Sequence, residues 1–176
     1  MAGRMAQARR RDAARRAARS NRHRNSGRRP QPSGAPLTML TLDANIWIAA
    51  YDPTDHFHAQ STAFLVAVTR QAQPLNGPAF VLVEAGCALA RRAQGTAAGQ
   101  VALQRLQHHP LLTLHPLDDA LLATAARLGP QYLLRGADAL YAATAEISGA
   151  HLISWDDELV RHAGAITPAD WLAANL

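Results

Sequence analysis

Four acidic residues of this chain lie in local settings that suit metal-ion chemistry. They are Asp43 in Leu-Thr-Leu-Asp-Ala-Asn, Glu84 in Val-Leu-Val-Glu-Ala, Asp138 in Asp-Ala-Leu-Tyr and Asp156 in Leu-Ile-Ser-Trp-Asp. Three of them adjoin apolar runs, where a charge costs several kcal/mol unless it is paired, hydrogen-bonded or bound to a cation. This placement predicts that the four carboxylates share one or two metal ions.

The elements that must position these residues alternate between strands and helices. This order predicts an α/β domain in which a parallel sheet is covered by helices on both faces. The patterns predict strands at 37–42, 74–76, 111–114, 151–154 and 165–166, and helices at 44–50, 55–71, 77–92, 96–108, 118–128, 137–147, 158–162 and 170–174. Asp55 is predicted to cap the second helix, Pro78 to open the third, and Gly129-Pro130 to end the fifth.

In a parallel α/β sheet, ligands bind at the edge formed by the carboxyl ends of the strands. Asp43 and Asp156 follow predicted strands directly, and Asp138 begins a helix at the same edge. Glu84 lies about two turns into its helix, from where a longer side chain reaches the edge. The topology therefore predicts that all four acids meet there.

Carboxylates brought together without basic partners repel one another and raise each other's pKa values, and a divalent cation reverses that effect. Ligands that are all oxygen favour Mg²⁺ or Mn²⁺ over zinc. Such an ion lowers the pKa of a bound water and neutralises charge on a phosphate under attack. The expected cofactor is therefore Mg²⁺ or Mn²⁺.

The segments Leu-Asp-Ala-Asn-Ile-Trp-Ile, Gly-Ala-Asp-Ala-Leu-Tyr-Ala-Ala-Thr-Ala and Leu-Ile-Ser-Trp-Asp-Asp-Glu-Leu, with Glu84 between the first two, resemble PIN-domain ribonucleases, particularly VapC-type toxins. The resemblance covers nearly all of residues 39–176 in the same order. It implies a three-layer α/β/α PIN-like fold with a small central parallel sheet. It also implies that the metal is bound by Asp43, Glu84, Asp138 and Asp156.

The same resemblance implies supporting roles for two small polar residues. Asn45 and Ser154 fall where the family has side chains that orient the carboxylates or the water. Asp157 competes with Asp156 for the fourth acidic position, and the Ser-x-Asp pattern favours Asp156.

The activity that the resemblance implies is Mg²⁺- or Mn²⁺-dependent hydrolysis of single-stranded or looped RNA, leaving a 5′-phosphate and a 3′-hydroxyl. Its toxin branch implies an RNA substrate, a cognate antitoxin protein and a homodimer. The lack of long apolar stretches predicts no membrane partner. Two alternatives stay open: a PIN-domain nuclease of RNA processing, and a catalytically inactive PIN-like module that binds RNA or protein.

Charge divides the chain into two parts. Residues 1–36 hold eleven arginines and one aspartate, whereas residues 37–176 hold seven arginines and twelve acidic residues. The first part is predicted to be a disordered Arg-rich extension, because it cannot bury enough apolar surface to fold. It is either a basic arm that contacts phosphates, a transit peptide or the product of an upstream start before Met39. Residues 37–176 are predicted to form one nuclease domain.

Missing residue types exclude several classes of protein. The sequence contains no lysine, which phosphate-loop NTPases and phosphoryl-accepting receiver domains require. A haloacid-dehalogenase-like phosphatase needs an aspartate where Asn45 stands. Cys87 is the single cysteine, which excludes an intramolecular disulfide and fits a reducing cytoplasm. No apolar stretch approaches the ~18 residues of a membrane helix.

Less specific interpretations compete with each assignment. Asp43 and Asp138 could be plain helix caps, and Glu84 could be a helix residue that faces solvent. Tyr141 and Trp155 could stack on bases, whereas Trp47 and Cys87 are predicted to be buried in the core. The remaining basic candidates for phosphate contact are Arg91, Arg92, Arg135 and Arg161.

Overall fold

A parallel four-stranded sheet lies at the centre of the computed structural model, which describes residues 38–176. Its strands are β1 (Leu40–Leu42), β2 (Leu75–Pro78), β3 (Leu112–His115) and β4 (His151–Ile153), in the order β3-β2-β1-β4. The central strands β1 and β2 are buried along their whole length. The predicted extension, residues 1–36, lies outside the described residues.

Helices cover both faces of the sheet, which confirms the predicted three-layer α/β/α fold. The described part of the chain contains eight: α1 (Ala44–Tyr51), α2 (His58–Arg70), α3 (Phe80–Arg92), α4 (Thr96–Gln107), α5 (Asp119–Tyr132), α6 (Gly136–Ser148), α7 (Asp157–Ala163) and α8 (Pro168–Asn175). The predicted short strand at 165–166 is only a single bridge between Ile153 and Ile166. No helix in residues 38–176 is both long enough and apolar enough to cross a membrane.

Helix α6 lies on the sheet and carries Asp138 in its first turn. It packs against β1, β2 and β4, and every residue from Ala139 to Ala145 is buried. A helix that is apolar on all sides belongs in a core, and the alanines of α6 let it approach the strands closely. Gly149, with φ 61°, ends α6 as predicted. The position of Asp138 is thereby fixed by the core.

Helix α3, which carries Glu84, is held against α4 by a close backbone contact. A Cβ atom at Gly99 would lie 2.5 Å from the carbonyl oxygen of Gly86. Only glycine allows this approach, because any side chain would force the two helices apart. The contact fixes the position of α3 at Gly86, two residues after Glu84.

The prediction that Pro78 opens a helix is wrong, because Pro78 ends β2 and α3 begins at Phe80. The N–H groups of Leu75 and Ala79 donate to the carbonyls of Leu111 and His115, on the side of β3. The nitrogen of Pro78 therefore faces the β1 side, where pairing with β1 has already ended at Asn76. A proline at this position removes no hydrogen bond from the sheet.

The prediction that Gly129-Pro130 ends the fifth helix is also wrong. Helix α5 continues to Tyr132 with Pro130 inside it. The missing N–H falls in the final turn, so its loss does not propagate along the helix. Leu133 then adopts the left-handed conformation (φ 57°), and the N–H of Leu134 donates to the carbonyl of Gly129 at 2.9 Å.

Two predictions about helix surfaces fail. Asp55 does not cap α2, which begins at His58; its Oδ1 accepts from the N–H of Phe57 at 2.9 Å in the preceding turn. Cys87 is exposed rather than buried. The inward face of α3 includes Ala85, and a residue two positions later on a helix points to the opposite side.

Candidate metal-binding acidic site

The four predicted acids come from four elements at the carboxyl edge of the sheet. Asp43 directly follows β1, and its N–H donates to the carbonyl of Ile153 in the adjacent strand β4 at 3.0 Å. Asp156 lies just after β4, Asp138 in the first turn of α6 and Glu84 in α3.

Asp43 is the most enclosed of the four, with only 7% of its surface exposed. Its Oδ2 accepts a 2.6 Å hydrogen bond from the hydroxyl of Ser154 and a 2.7 Å bond from the amide of Asn45. Although Asp43 precedes α1, its side chain makes no capping bond to that helix within the described residues. The side chains of Ser154 and Asn45 hold the Asp43 carboxylate, which is more than a plain helix cap requires.

Asn45 and Ser154 also join the end of β1 to the segment after β4. The two side chains contact each other at 3.0 Å, and the Ser154 hydroxyl accepts from the N–H of Asp156 at 2.9 Å. The Asn45 Oδ1 accepts from the N–H of Trp155 at 3.3 Å. Both predicted supporting residues thus contact Asp43 and bind the backbone N–H groups of Trp155 and Asp156.

Glu84 turns inward rather than toward solvent. The hydroxyl of Tyr141 donates to its Oε2 at 2.5 Å. Tyr141 is 1% exposed, so the suggestion that it stacks on bases is wrong. No sequence pattern predicts its contact with Glu84, although the spacing from Asp138 to Tyr141 places both on one face of α6.

Asp138 has an oxygen without a partner. The residue as a whole is half-buried, yet its Oδ2 is buried and makes no hydrogen bond. Within residues 38–176, the only other buried side-chain nitrogen or oxygen without a hydrogen-bond partner is Nε1 of Trp47. A buried, unpartnered carboxylate oxygen is costly unless a proton or a cation compensates it.

The charges of these acids affect one another. Burial raises the pKa of Asp43 to about 7; the Ser154 hydrogen bond opposes this rise, and the charges of Glu84 and Asp138 add to it. Burial also raises the pKa of Glu84, with a further contribution from Asp138. The pKa of Asp138 is raised by burial and then by the charge of Asp156. The four acids therefore form one electrostatic group.

The structure separates Asp156 from its neighbour Asp157. Asp156 is half-buried, and its Oδ1 accepts from the N–H of Glu158 at 2.7 Å as the cap of α7. Asp157 is exposed. Glu158, which no sequence motif marks, contributes to the raised pKa of Asp138 and pairs with Arg135 at 3.3 Å.

The donor set fits a hard divalent cation in its chemistry. All four candidate ligands are carboxylates, the charge of Asp138 raises the pKa values of Asp43 and Glu84, and Asp138 offers an unpartnered oxygen. Among residues 38–176, no three His, Cys, Asp or Glu side chains already stand together as a metal-binding group.

Other predicted candidates have structural contacts. Trp155 donates from Nε1 to Ser61 at 2.8 Å and stacks on Phe57 with ring centroids 4.2 Å apart. Arg92 forms ion pairs with Asp52 and Asp55. Trp47 is 1% exposed, which confirms its predicted place in the core.

Comparison with known proteins agrees with this architecture. Residues 40–165 match the family model described as PIN domain. VapC20 from Mycobacterium tuberculosis, described as a sarcin-ricin loop cleaving toxin, has a TM-score of 0.63 and 18% identity, over 72% of this chain and 96% of that chain. No curated protein sequence gives a significant match.

Two further solved structures are similar. PAE2754 from Pyrobaculum aerophilum is 25% identical with a TM-score of 0.57, over 80% of this chain and 97% of that one. A toxin-antitoxin complex from Klebsiella pneumoniae contains a chain 18% identical, with a TM-score of 0.55, over 73% of this chain and 97% of that chain.

Proposed function

Because the chain belongs to the PIN-domain family, we propose that it is a Mg²⁺- or Mn²⁺-dependent endoribonuclease and the toxin of a type II toxin-antitoxin pair. Membership in this family implies a hydrolase that acts on nucleic acid, and the metal and the RNA specificity are parts of the proposal. The observation that carries it is the buried, unpartnered Oδ2 of Asp138, an acid whose charge raises the pKa values of Asp43 and Glu84.

In this proposal Asp43, Glu84, Asp138 and Asp156 hold the cation. When bound, the cation lowers the pKa of a water and neutralises charge on the phosphate that is attacked. Asn45 and Ser154 fix the orientation of the Asp43 carboxylate through Oδ2. The hydrolysis would leave a 5′-phosphate and a 3′-hydroxyl.

The donor chemistry supports Mg²⁺ or Mn²⁺ over softer metals. The four acids offer only carboxylate oxygens, and the single cysteine, Cys87, lies on the outer face of α3. Ions that prefer thiolate or imidazole ligands gain little from such a donor set.

The proposed substrate and partners follow the solved relatives. One is described as a toxin that cleaves the sarcin-ricin loop, and another belongs to a toxin-antitoxin complex. By analogy, the substrate is an RNA loop, the inhibitor is a cognate antitoxin protein, and the active form is a homodimer in the cytoplasm. In the same proposal, residues 37–176 form the nuclease domain.

The experiment is cleavage of end-labelled total RNA by the purified full chain with Mg²⁺, Mn²⁺ or chelator. Asp43→Asn and Asp138→Asn are the test variants, and Asp119→Asn, which changes an exposed acid in the first turn of α5, is the matched control. Metal-dependent cuts that both test variants abolish and the control retains are expected. If the wild-type chain cuts no RNA, the inactive binding module becomes the better account.

A further inference from the structure

A buried tyrosine connects the two helices that carry Glu84 and Asp138. Tyr141 lies on α6, three residues after Asp138, and its hydroxyl donates to Oε2 of Glu84 on α3 at 2.5 Å. The hydrogen bond therefore links two of the proposed ligands through one turn of helix. Nothing in the proposed hydrolysis requires a tyrosine to touch the substrate.

We propose that Tyr141 is a positioning residue for the metal site, which holds Glu84 by Oε2 and leaves Oε1 to bind the cation. This inference rests on the proposed function, because it assigns Tyr141 a role only if Glu84 is a ligand. Carboxylates that bind metals are commonly hydrogen-bonded by a surrounding residue, which fixes their orientation.

The Glu84 side chain could face solvent, but it points inward. It lies beside residues on the outer surface of α3, where Val83 is 55% exposed and Cys87 is exposed. A glutamate in such a helix gains hydration by facing water, so an inward orientation needs a compensating contact. Among the described residues, Tyr141 is the only hydrogen-bond partner of the Glu84 side chain.

The chemistry of the two groups also makes the tyrosine the donor. A phenol has an ordinary pKa of about 10, so it keeps its proton at neutral pH and donates to the carboxylate. A hydrogen bond to a charged acceptor is stronger and more directional than one between neutral groups.

The test compares Mn²⁺ affinity of the full chain with that of Tyr141→Phe, by electron paramagnetic resonance of free Mn²⁺. Phenylalanine preserves the ring and removes only the hydroxyl. Tyr132→Phe is the matched control, because Tyr132 ends α5 and lies outside the acidic group. Loss of a supporting contact of this kind weakens metal binding by about 10- to 100-fold. We expect a loss in that range for Tyr141→Phe and none for Tyr132→Phe.

A second variant distinguishes positioning from a general loss of packing. In Glu84→Gln, the effect of adding Tyr141→Phe on Mn²⁺ affinity should largely disappear, because the hydroxyl acts through Glu84. If the full Tyr141→Phe effect persists in that background, the positioning role is wrong.

A metal-free measurement separates this inference from the proposed function. The sequence contains three glutamates, so ¹³C-labelled glutamate gives three side-chain carboxyl signals. Tyr141→Phe should shift the Glu84 signal alone. If that shift occurs while wild-type and Tyr141→Phe proteins bind Mn²⁺ equally, the contact exists but Tyr141 does not position a ligand. If the wild-type chain binds no Mn²⁺, the proposed function fails and this inference fails with it.

Discussion

The hydroxyl of Ser154 donates a 2.6 Å hydrogen bond to Oδ2 of Asp43 and thereby joins the ends of the adjacent strands β1 and β4. Ser154 is fully buried, and its oxygen also accepts from the N–H of Asp156. One side chain thus connects two of the proposed ligands. The arrangement makes Ser154 sensitive to even a small substitution.

Ser154→Ala should reduce both stability and metal affinity. It removes a hydrogen bond to a buried carboxylate and leaves the Asp156 N–H without its acceptor, which together cost about 2 kcal/mol in free energy of unfolding. Urea unfolding in chelator and Mn²⁺ titration measure the two effects. Ser148→Ala, a change in the last turn of α6, is the control. Equal stability of Ser154→Ala and wild type would contradict the assigned contacts.

The metal-free protein should lose stability as the pH rises from about 4 to about 7. The pKa of Asp43 is about 7 in the folded protein and 3.8 as its ordinary value, so the folded state binds the additional proton in this window. Stability falls with pH wherever the folded state binds more protons, here by at most about 4 kcal/mol.

The variant Asp43→Asn isolates the contribution of Asp43. Urea unfolding of the wild type and the variant in chelator, at several pH values between 4 and 8, gives the free energy of unfolding of each. The contributions of the other titrating groups largely cancel in the difference between the two proteins. The wild type should show the steeper decline. Parallel curves would mean that Asp43 titrates normally and is not buried as described.

Asp138→Asn should abolish cleavage while slightly stabilising the metal-free protein. The change removes a charge that interacts unfavourably with Asp43, Glu84 and Asp156. Because Asp138 is only half-buried, the expected gain is about 1 kcal/mol or less. Thermal unfolding in chelator measures it. A clear loss of stability would indicate that Asp138 has a structural role.

Asp156→Asn should reduce cleavage at least about tenfold, whereas Asp157→Asn should leave it unchanged. Asparagine can still cap α7, so the fold is retained while a charged ligand is lost. Steady-state cleavage at saturating Mg²⁺ provides the comparison. If Asp157→Asn alone inactivated the protein, the fourth ligand would be Asp157 and not Asp156.

Sequence patterns predicted the elements well where an acid lies between an apolar strand and a helix, as Asp43 and Asp156 do. Asp43 and Ser154 follow strands, and the rule that ligands bind at the carboxyl edge brings them together. Local sequence patterns gave the wrong element where pairing with a distant strand determines the structure. Pro78 resembles a helix start, but its strand is defined by β3, which lies more than thirty residues later.

The site could be predicted only in part for the same reason. Residue type and order identified the four candidate acids, whereas the contact between Tyr141 and Glu84 joins residues 57 positions apart. The orphaned Oδ2 of Asp138 depends on packing around α6, which no local pattern encodes. Glu158 gives no distinctive sequence signal, because it directly follows two aspartates and resembles an ordinary first-turn residue.

The most direct test of a cation held by these acids is an anomalous difference map from crystals of the full chain grown with Mn²⁺. We predict a peak bounded by the carboxylates of Asp43 and Asp138, absent from crystals of Asp138→Asn. Ordered carboxylates with no peak between them at saturating Mn²⁺, or a peak bound only elsewhere, would contradict the account.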